Sequence, residues 1–302
     1  MRETFPRRDS PWGPIVVADA HIHFFSHGFF TKLVAQKPGL TLESAAEKLG
    51  WEMPPRETEG LANLWFRELD RHRVSVAALI ASLPGEEASV VAAARMRPER
   101  FRAFAMVNPR AWDPQACSEI RVACLFPAMH LFSIGDDCVR PVFEWAEQGR
   151  RAIFVHCGVL SVGARRSLGL PSQFDLRYSN PIDLHSVALR HPSVPIIVPH
   201  FGAGYMREAL MLGDLCPNVY LDTSSSNQWM RYFGLSLPQV FRRALDVMGA
   251  GRLLFGTDSS FFPRGWNEAV FEEQVQALDE IGVNAHDAQA IFADNLVRIL
   301  PA

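Results

Sequence analysis

The chain has 302 residues, 48% of them apolar and 21% charged, with a formal net charge of −3. This is globular composition with length enough for a large core. No apolar run reaches the roughly 18 residues of a membrane span, and no basic excess is present to neutralise nucleic-acid phosphates, so membrane-spanning and nucleic-acid-binding roles are disfavoured. The N-terminal stretch lacks the apolar core of a signal peptide, and the protein is read as cytoplasmic.

Along the chain, short apolar runs alternate with helical patterns. The runs are IVVAD (15–19), VSVAALIA (74–81), FRAFAMVN (101–108), RVACLFP (121–127), AIFVH (152–156), PIIVPH (195–200), NVYLD (218–222) and RLLFGTD (252–258). Near-continuous apolar runs of this length suit parallel strands buried on both faces. Helical patterns at 59–73, 86–100, 140–150 and 238–249 lie between them. Eight strands, each followed by a helix, predict a distorted (β/α)8 barrel, with an open doubly wound sheet as the alternative. The whole chain, 1–302, reads as one domain. Residues 24–58 form a long first strand-to-helix connection, an insertion or lid that contains the helix candidate LESAAEKLG. Two more long excursions, 157–181 and 223–237, also follow strands, on the side where barrels place active sites.

The five cysteines, Cys117, Cys124, Cys138, Cys157 and Cys216, are odd in number and form no CxxC, which disfavours a disulfide scaffold or zinc ribbon. The histidines carry more information. His21 and His23 are two residues apart at a strand end, so both face the same side. His156, His200 and Asp258 each close another predicted strand. In a barrel these groups converge on one mouth, where imidazoles and a carboxylate suit zinc or a similar divalent ion. His27 and His130 follow strands closely and are possible substrate contacts, whereas His72, His185 and His191 read as surface residues. Asp222 closes the seventh strand before Thr223-Ser224-Ser225-Ser226 and could meet substrate or serve structure. Phe24, Phe25, Phe29 and Phe30 could wall an apolar pocket or pack a lid. No GxSxG or GxGxxG occurs, which disfavours a serine hydrolase and gives no sign of a dinucleotide.

The pieces DAHIHFF (19–25), LANLWFRELDRHRVSVAAL (61–79), FVHCG (154–158), VPHFGAG (198–204), NVYLDTSSS (218–226), LFGTDSSFF (254–262) and the C-terminal IFADNLVRIL run over nearly the whole chain. Together they resemble the amidohydrolase-related group of the amidohydrolase superfamily, which includes aminocarboxymuconate-semialdehyde decarboxylase and pyrone dicarboxylate lactonase. The resemblance implies that His21, His23 and His156 ligate a metal. Asp258 would ligate or approach it and exchange a proton with water. His200 would act as an electrophile or proton carrier, or hold a second ion. Family members with two metals bridge them through a lysine or glutamate of the fourth strand. Here the lysines are Lys32, Lys37 and Lys48, none of them later in the chain. One divalent ion is therefore expected, zinc first and manganese or iron next, with a Cys124 bridge as the lesser option. A dimer is suggested by the resemblance alone.

Such a set would support hydrolysis of a small lactone, ester or amide. The alternative is decarboxylation of an unsaturated or aromatic carboxylate. A substrate carboxylate calls for an arginine fork. Arg264, six residues after Asp258, is the first candidate, with Arg177, Arg165 and Arg67 after it.

Overall fold

The computed structural model describes residues 5–172, 174–224, 229–232 and 234–302. Eight strands lie in chain order in one sheet: β1 (Ala18–His23), β2 (Val76–Ala81), β3 (Phe101–Met106), β4 (Val122–Leu125), β5 (Ala152–Val155), β6 (Ile196–Val198), β7 (Val219–Asp222) and β8 (Leu253–Leu254). Each pairs in parallel with the next. All eight expected runs overlap a strand; seven strands are shorter than their runs, whereas β1 starts inside its run and continues four residues past it. At β3, β4, β5, β6 and β8 the last residues of the run have left the ladder.

The helices are α1 (His27–Val34), α2 (Leu42–Leu49), α3 (Thr58–Arg71), α4 (Glu87–Met96), α5 (Pro127–His130), α6 (Arg140–Gln148), α7 (Gly163–Leu168), α8 (His185–Arg190), α9 (Met206–Leu215), α10 (Leu237–Met248), α11 (Glu268–Glu280), α12 (Ala285–Gln289) and α13 (Asn295–Ile299). One expectation fails. Between β3 and β4 there is no α-helix, only a 3-10 turn at Pro109–Ala111. The connection is too short and too rich in proline and polar residues to present an apolar helical face. No helix among the described residues is long and apolar enough to cross a membrane.

Alternation along the strands builds two cores. Val76, Ala78 and Ile80 of β2, with Phe104, Met106, Val122, Phe154 and Leu254, fill the barrel interior. The intervening Ala77, Leu79, Ala81, Ala103 and Ala105 pack outward under the helices. Ala293, Leu296 and Leu300 of the C-terminal segment join the interior cluster.

β1 breaks this alternation. Ala18 and Ala20 belong to the interior cluster, yet Val17 and Ile22 both belong to the outer one. The register shifts between Asp19 and Ile22, as at a β-bulge. One extra residue reverses the parity. His21 and His23 therefore face the mouth directly above Ala20.

The seam that closes the barrel lies at the same place. β8 is two residues long, and its continuation completes the closure. Ala20 N–H donates to the Phe255 carbonyl at 2.8 Å and His23 N–H to the Ser259 carbonyl at 2.7 Å. Beneath them, the fully buried Asp19 accepts from His21 N at 2.9 Å, Thr257 N at 3.2 Å, Thr257 Oγ1 at 2.5 Å and Trp266 Nε1 at 2.8 Å. Burial pushes its carboxyl up to about 6 while these four donors oppose that rise.

The first long connection is ordered as helices. Ser26 caps α1 by accepting from Phe29 N, and Thr41 with Ser44 forms a capping box on α2. Phe29, Phe30, Leu33 and Ala45 pack with Leu168 and Leu170 into a separate cluster. The insertion is thus tied to the loop after β5. The helix at α2 matches LESAAEKLG; α1 lies in a stretch read from sequence only as aromatic loop.

Asp19→Ala would leave four donors without their acceptor. We expect a loss of about 3–5 kcal/mol in denaturant unfolding. A change below about 1 kcal/mol would show that the seam does not rely on this carboxylate.

Candidate metal centre

His21 and His23 reach the mouth from β1, His156 is the residue after β5, and His200 lies two residues past β6. Asp258 follows β8 by four residues. His200 and Asp258 hold φ values of 55° and 58°, and Phe201 and Ala203 after His200 are also left-handed. Such backbone costs about 1–3 kcal/mol per non-glycine residue and gathers at functional sites. At Asp258 and His200 it turns the side chain inward where the ladder has ended. Gly256 makes room for this: a Cβ there would lie 2.6 Å from Asp222 Oδ1 and 3.0 Å from the His21 Cβ.

The donor atoms of His21, His23 and Asp258 lie within 4.8 Å of one another. Asp258 Oδ1 is 3.1 Å from His23 Nε2 and 3.6 Å from His21 Nε2. The orientation of each ring is set from behind. His21 Nδ1 lies 2.6 Å from Asp222 Oδ2. Ser82 Oγ directs its proton to the Ile80 carbonyl at 3.2 Å, so it accepts from His23 Nδ1 at 2.7 Å. His200 Nδ1 is 3.0 Å from the Ser224 carbonyl, which can only accept, and 2.8 Å from Ser224 Oγ. All three imidazoles therefore carry hydrogen on Nδ1 and leave Nε2 for the mouth. Outer-shell hydrogen bonds of this kind orient metal-binding histidines.

Two Nε2 lone pairs facing one carboxylate demand a positive charge between them. In protein alone a proton meets the demand. Burial disfavours a charged His21, but Asp222 and Asp258 outweigh it and raise its pKa to about 9. Asp258 is buried too, yet the hydrogen bond from His23 and the charge of His21 hold it well below the usual carboxylate range. A divalent ion meets the same demand, and the donor chemistry fits one.

His156 stands across the mouth. Its ring is 5.5 Å from that of His200 and stacks on Phe126 at 5.3 Å. It lies outside the group whose donors fall within 4.8 Å, so the structure gathers three of the four expected ligands. Its Nδ1 is buried with no hydrogen-bond partner among the described residues. Burial, His200 and His21 push its pKa well below the ordinary value, and the same burial, with His21, lowers that of His200. At the fourth strand, Cys124 faces the interior cluster, where burial raises its thiol far above the ordinary range, and it lies outside both the cavity lining and the group of converging donors.

The five groups line one cavity of about 480 Å3. Phe25, Phe29 and Trp51 wall it from the insertion, with Met106, Phe126 and Leu160 opposite. The aromatics of the first loop thus serve both readings, since Phe29 also packs the lid cluster. Among the described residues two arginines reach the cavity, Arg264 and Arg165. Arg264 donates from Nη2 to the Asp258 carbonyl at 3.2 Å and Ser260 Oγ at 3.0 Å.

Other expectations are corrected. Arg177 is not at the cavity. Asp175, two residues earlier, captures its guanidinium at 2.6–3.0 Å in a tight turn, with the arginine side chain 85% exposed. Arg67 is exposed on α3, and His27 and His130 do not line the cavity. His72 and His191 are packed rather than superficial, against Glu68 and Glu147. Ser225 and Ser226 lie outside the described residues. Sequence reasoning missed Ser82 and Ser224 as orienting groups. No spacing reveals them, because each meets a histidine from a different strand.

The model of the family described as Amidohydrolase matches residues 18–302. Protein fluG of Emericella nidulans is 33% identical over 92 residues, covering 30% of this chain and 10% of that protein. The chain thus spans about a tenth of the length of that curated relative. Among solved structures, a probable 2-pyrone-4,6-dicarboxylic acid hydrolase from Acinetobacter baumannii, with citric acid bound, superposes with a TM-score of 0.62 at 14% identity, covering 95% of this chain and 99% of that one. The 5-carboxyvanillate decarboxylase of Novosphingobium aromaticivorans, complexed with manganese and 4-hydroxy-3-methoxy-5-nitrobenzoic acid, gives 0.63 at 13% identity, covering 100% of both. With the family match running from β1 to the last residue, over a barrel whose mouth joins histidines to an aspartate, this chain belongs to the amidohydrolase family of enzymes.

Proposed function

We propose that the chain is a metal-dependent hydrolase of a small, carboxylated lactone, ester or amide. The observation that carries this reading is the convergence of the His21 and His23 Nε2 atoms on the Asp258 carboxylate. His21, His23 and Asp258 would hold one divalent ion, with His156 completing the set through a ring kept neutral by burial. Zinc suits an imidazole-rich site first, and manganese or iron next. A divalent ion there would supply Lewis acidity, polarising a substrate oxygen and acidifying water.

The chain's own residues do the rest. Asp258 stays ionised and can take a proton on its carboxylate, then return it to the leaving oxygen or nitrogen. The hydrolysed bond thereby gains the oxygen and both hydrogens of one water. His200 presents a bare Nε2 in its resting form, so it accepts a proton before it can donate one to an oxyanion. Arg264 meets a substrate carboxylate.

The presence of a cation in an otherwise mostly apolar cavity also suits decarboxylation of an aromatic or unsaturated acid, the chemistry named for one structural neighbour. The substrate then loses CO2 and gains a proton at carbon. Assays of carboxylated lactones and hydroxybenzoates, scored for both CO2 and hydrolytic product, separate the two. Release of CO2 alone would overturn the hydrolase reading.

We expect one metal per chain by elemental analysis. Metal should be lost in His21→Ala and His156→Ala and kept in His200→Asn, whose turnover falls about a hundredfold or more. Two ions per chain, or full activity in His200→Asn, would contradict these assignments.

Metal binding should also release protons. At pH 7 His21, raised to about 9, is charged, and an ion must displace that proton. Apparent affinity should therefore climb about tenfold per pH unit from 7 and level off near pH 9. Calorimetry in buffers of different ionisation enthalpy would read the release directly, and a pH-independent affinity would refute it.

A further inference from the structure

Arg264 is a long, largely exposed side chain on a loop, and such a side chain is by default mobile. Here it is not left to itself. Its guanidinium sits 4.5 Å from the Phe261 ring centroid. Phe261 in turn stacks on Trp51 at 4.4 Å and 10°. Trp51 stacks on Phe25 at 5.7 Å and 16°, and Phe25 on His23 at 5.4 Å and 21°. A column of near-parallel rings thus runs from a metal-ligand candidate to Arg264, one of the cavity's two arginines among the described residues. Backbone reinforces it, since Glu52 N–H donates to the Phe262 carbonyl at 2.8 Å. Arg264 also returns to the site through the Asp258 carbonyl.

The column joins two parts of the chain far apart in sequence. Trp51 lies in the insertion just after α2, whereas Phe261 and Arg264 lie in the loop after β8. Past the Ser259 bridge to β1, that loop runs without helix or strand as far as α11. Trp51 stacks on Phe261 face to face, and the Arg264 guanidinium lies over the same ring. A rigid aromatic beneath a guanidinium restricts it to positions over the ring face.

We propose that Trp51 is a positioning residue for substrate carboxylate. By stacking on Phe261 it holds the Arg264 guanidinium over the cavity, so that the insertion after β1 decides how firmly an acidic substrate is gripped. This rests on the reading of Arg264 as the carboxylate's partner. Trp51 acts through Phe261 and need not touch the carboxylate.

The test uses isophthalate as the acidic probe and isophthalamide as its uncharged counterpart, titrated into zinc-loaded protein by calorimetry. Arg264→Ala should weaken isophthalate about tenfold and leave isophthalamide unchanged. Trp51→Ala should weaken isophthalate about fivefold, spare isophthalamide, and add nothing in the Arg264→Ala background. Trp51→Phe should stay within about twofold of wild type, because a second flat ring can stack in the same place. Phe261→Leu, which removes the ring and leaves Trp51 intact, should reproduce the Trp51→Ala result and guards against a misfolded insertion. If Trp51→Ala and Phe261→Leu bind isophthalate like wild type while Arg264→Ala does not, the inference is overturned and the role of Arg264 survives. Equal losses for both probes would make Trp51 only a wall of the cavity, and additive losses in the double variant would make it independent of Arg264. Either result overturns the inference. If Arg264→Ala changes nothing, or wild type fails to bind isophthalate at millimolar concentration, the role of Arg264 falls and the inference falls with it.

Discussion

The seam between β1 and the chain beyond β8 is where the barrel closes and where its chemistry begins. β8 has only two residues in the ladder, so closure depends on hydrogen bonds from Ala20 and His23 to Phe255 and Ser259. Those bonds accommodate the bulge after Asp19. Asp19 gathers both sides of the seam on one carboxylate. Without the bulge, alternation from Ala18 and Ala20 would send His21 and His23 outward into the helical layer. Closing the sheet and aiming the first two ligands are therefore one structural event.

A second level of order lies behind the imidazoles. Asp222, Ser82 and Ser224 come from the ends of β7 and β2, and each occupies an Nδ1. Their effect is chemical as much as geometric, because a neutral ring that donates from Nδ1 offers its lone pair at Nε2. The left-handed backbone at His200 and Asp258 adds local strain to the same region. Strain of this kind persists only where the surroundings over-determine it, and the barrel ladder and the Asp222–Ser224 hydrogen bond provide such surroundings.

The insertion after β1 connects these parts to substrate. Its helices pack against the loop after β5, and its aromatics wall the cavity on the side of His23. The arginines and the candidate metal ligands then face a volume that is mostly apolar. In such a space a charge interacts more strongly than in water, which favours recognition of acidic groups.

Much of this was legible in the chain itself. Strand positions followed from apolar runs, because buried parallel strands leave no room for polar residues on either face. His21, His23, His156, His200 and Asp258 were found by their place at the ends of those runs, and all five line one cavity. The arginines were ranked from sequence, with Arg264 first, but nothing local placed Arg165 at the cavity or took Arg177 away from it. Arg177 and Arg264 both follow strands, but a neighbouring aspartate holds one in its own turn and a ring supports the other at the mouth. The helix expected after β3 and the register at the His21-Ile22-His23 motif show the same limit. Period and composition are local properties, and they determined which segments are buried and which side chains can bind metal. Parity at a bulge, the tautomer of a ring and the partner of a guanidinium depend on atoms brought from distant strands, and only the closed barrel decided them.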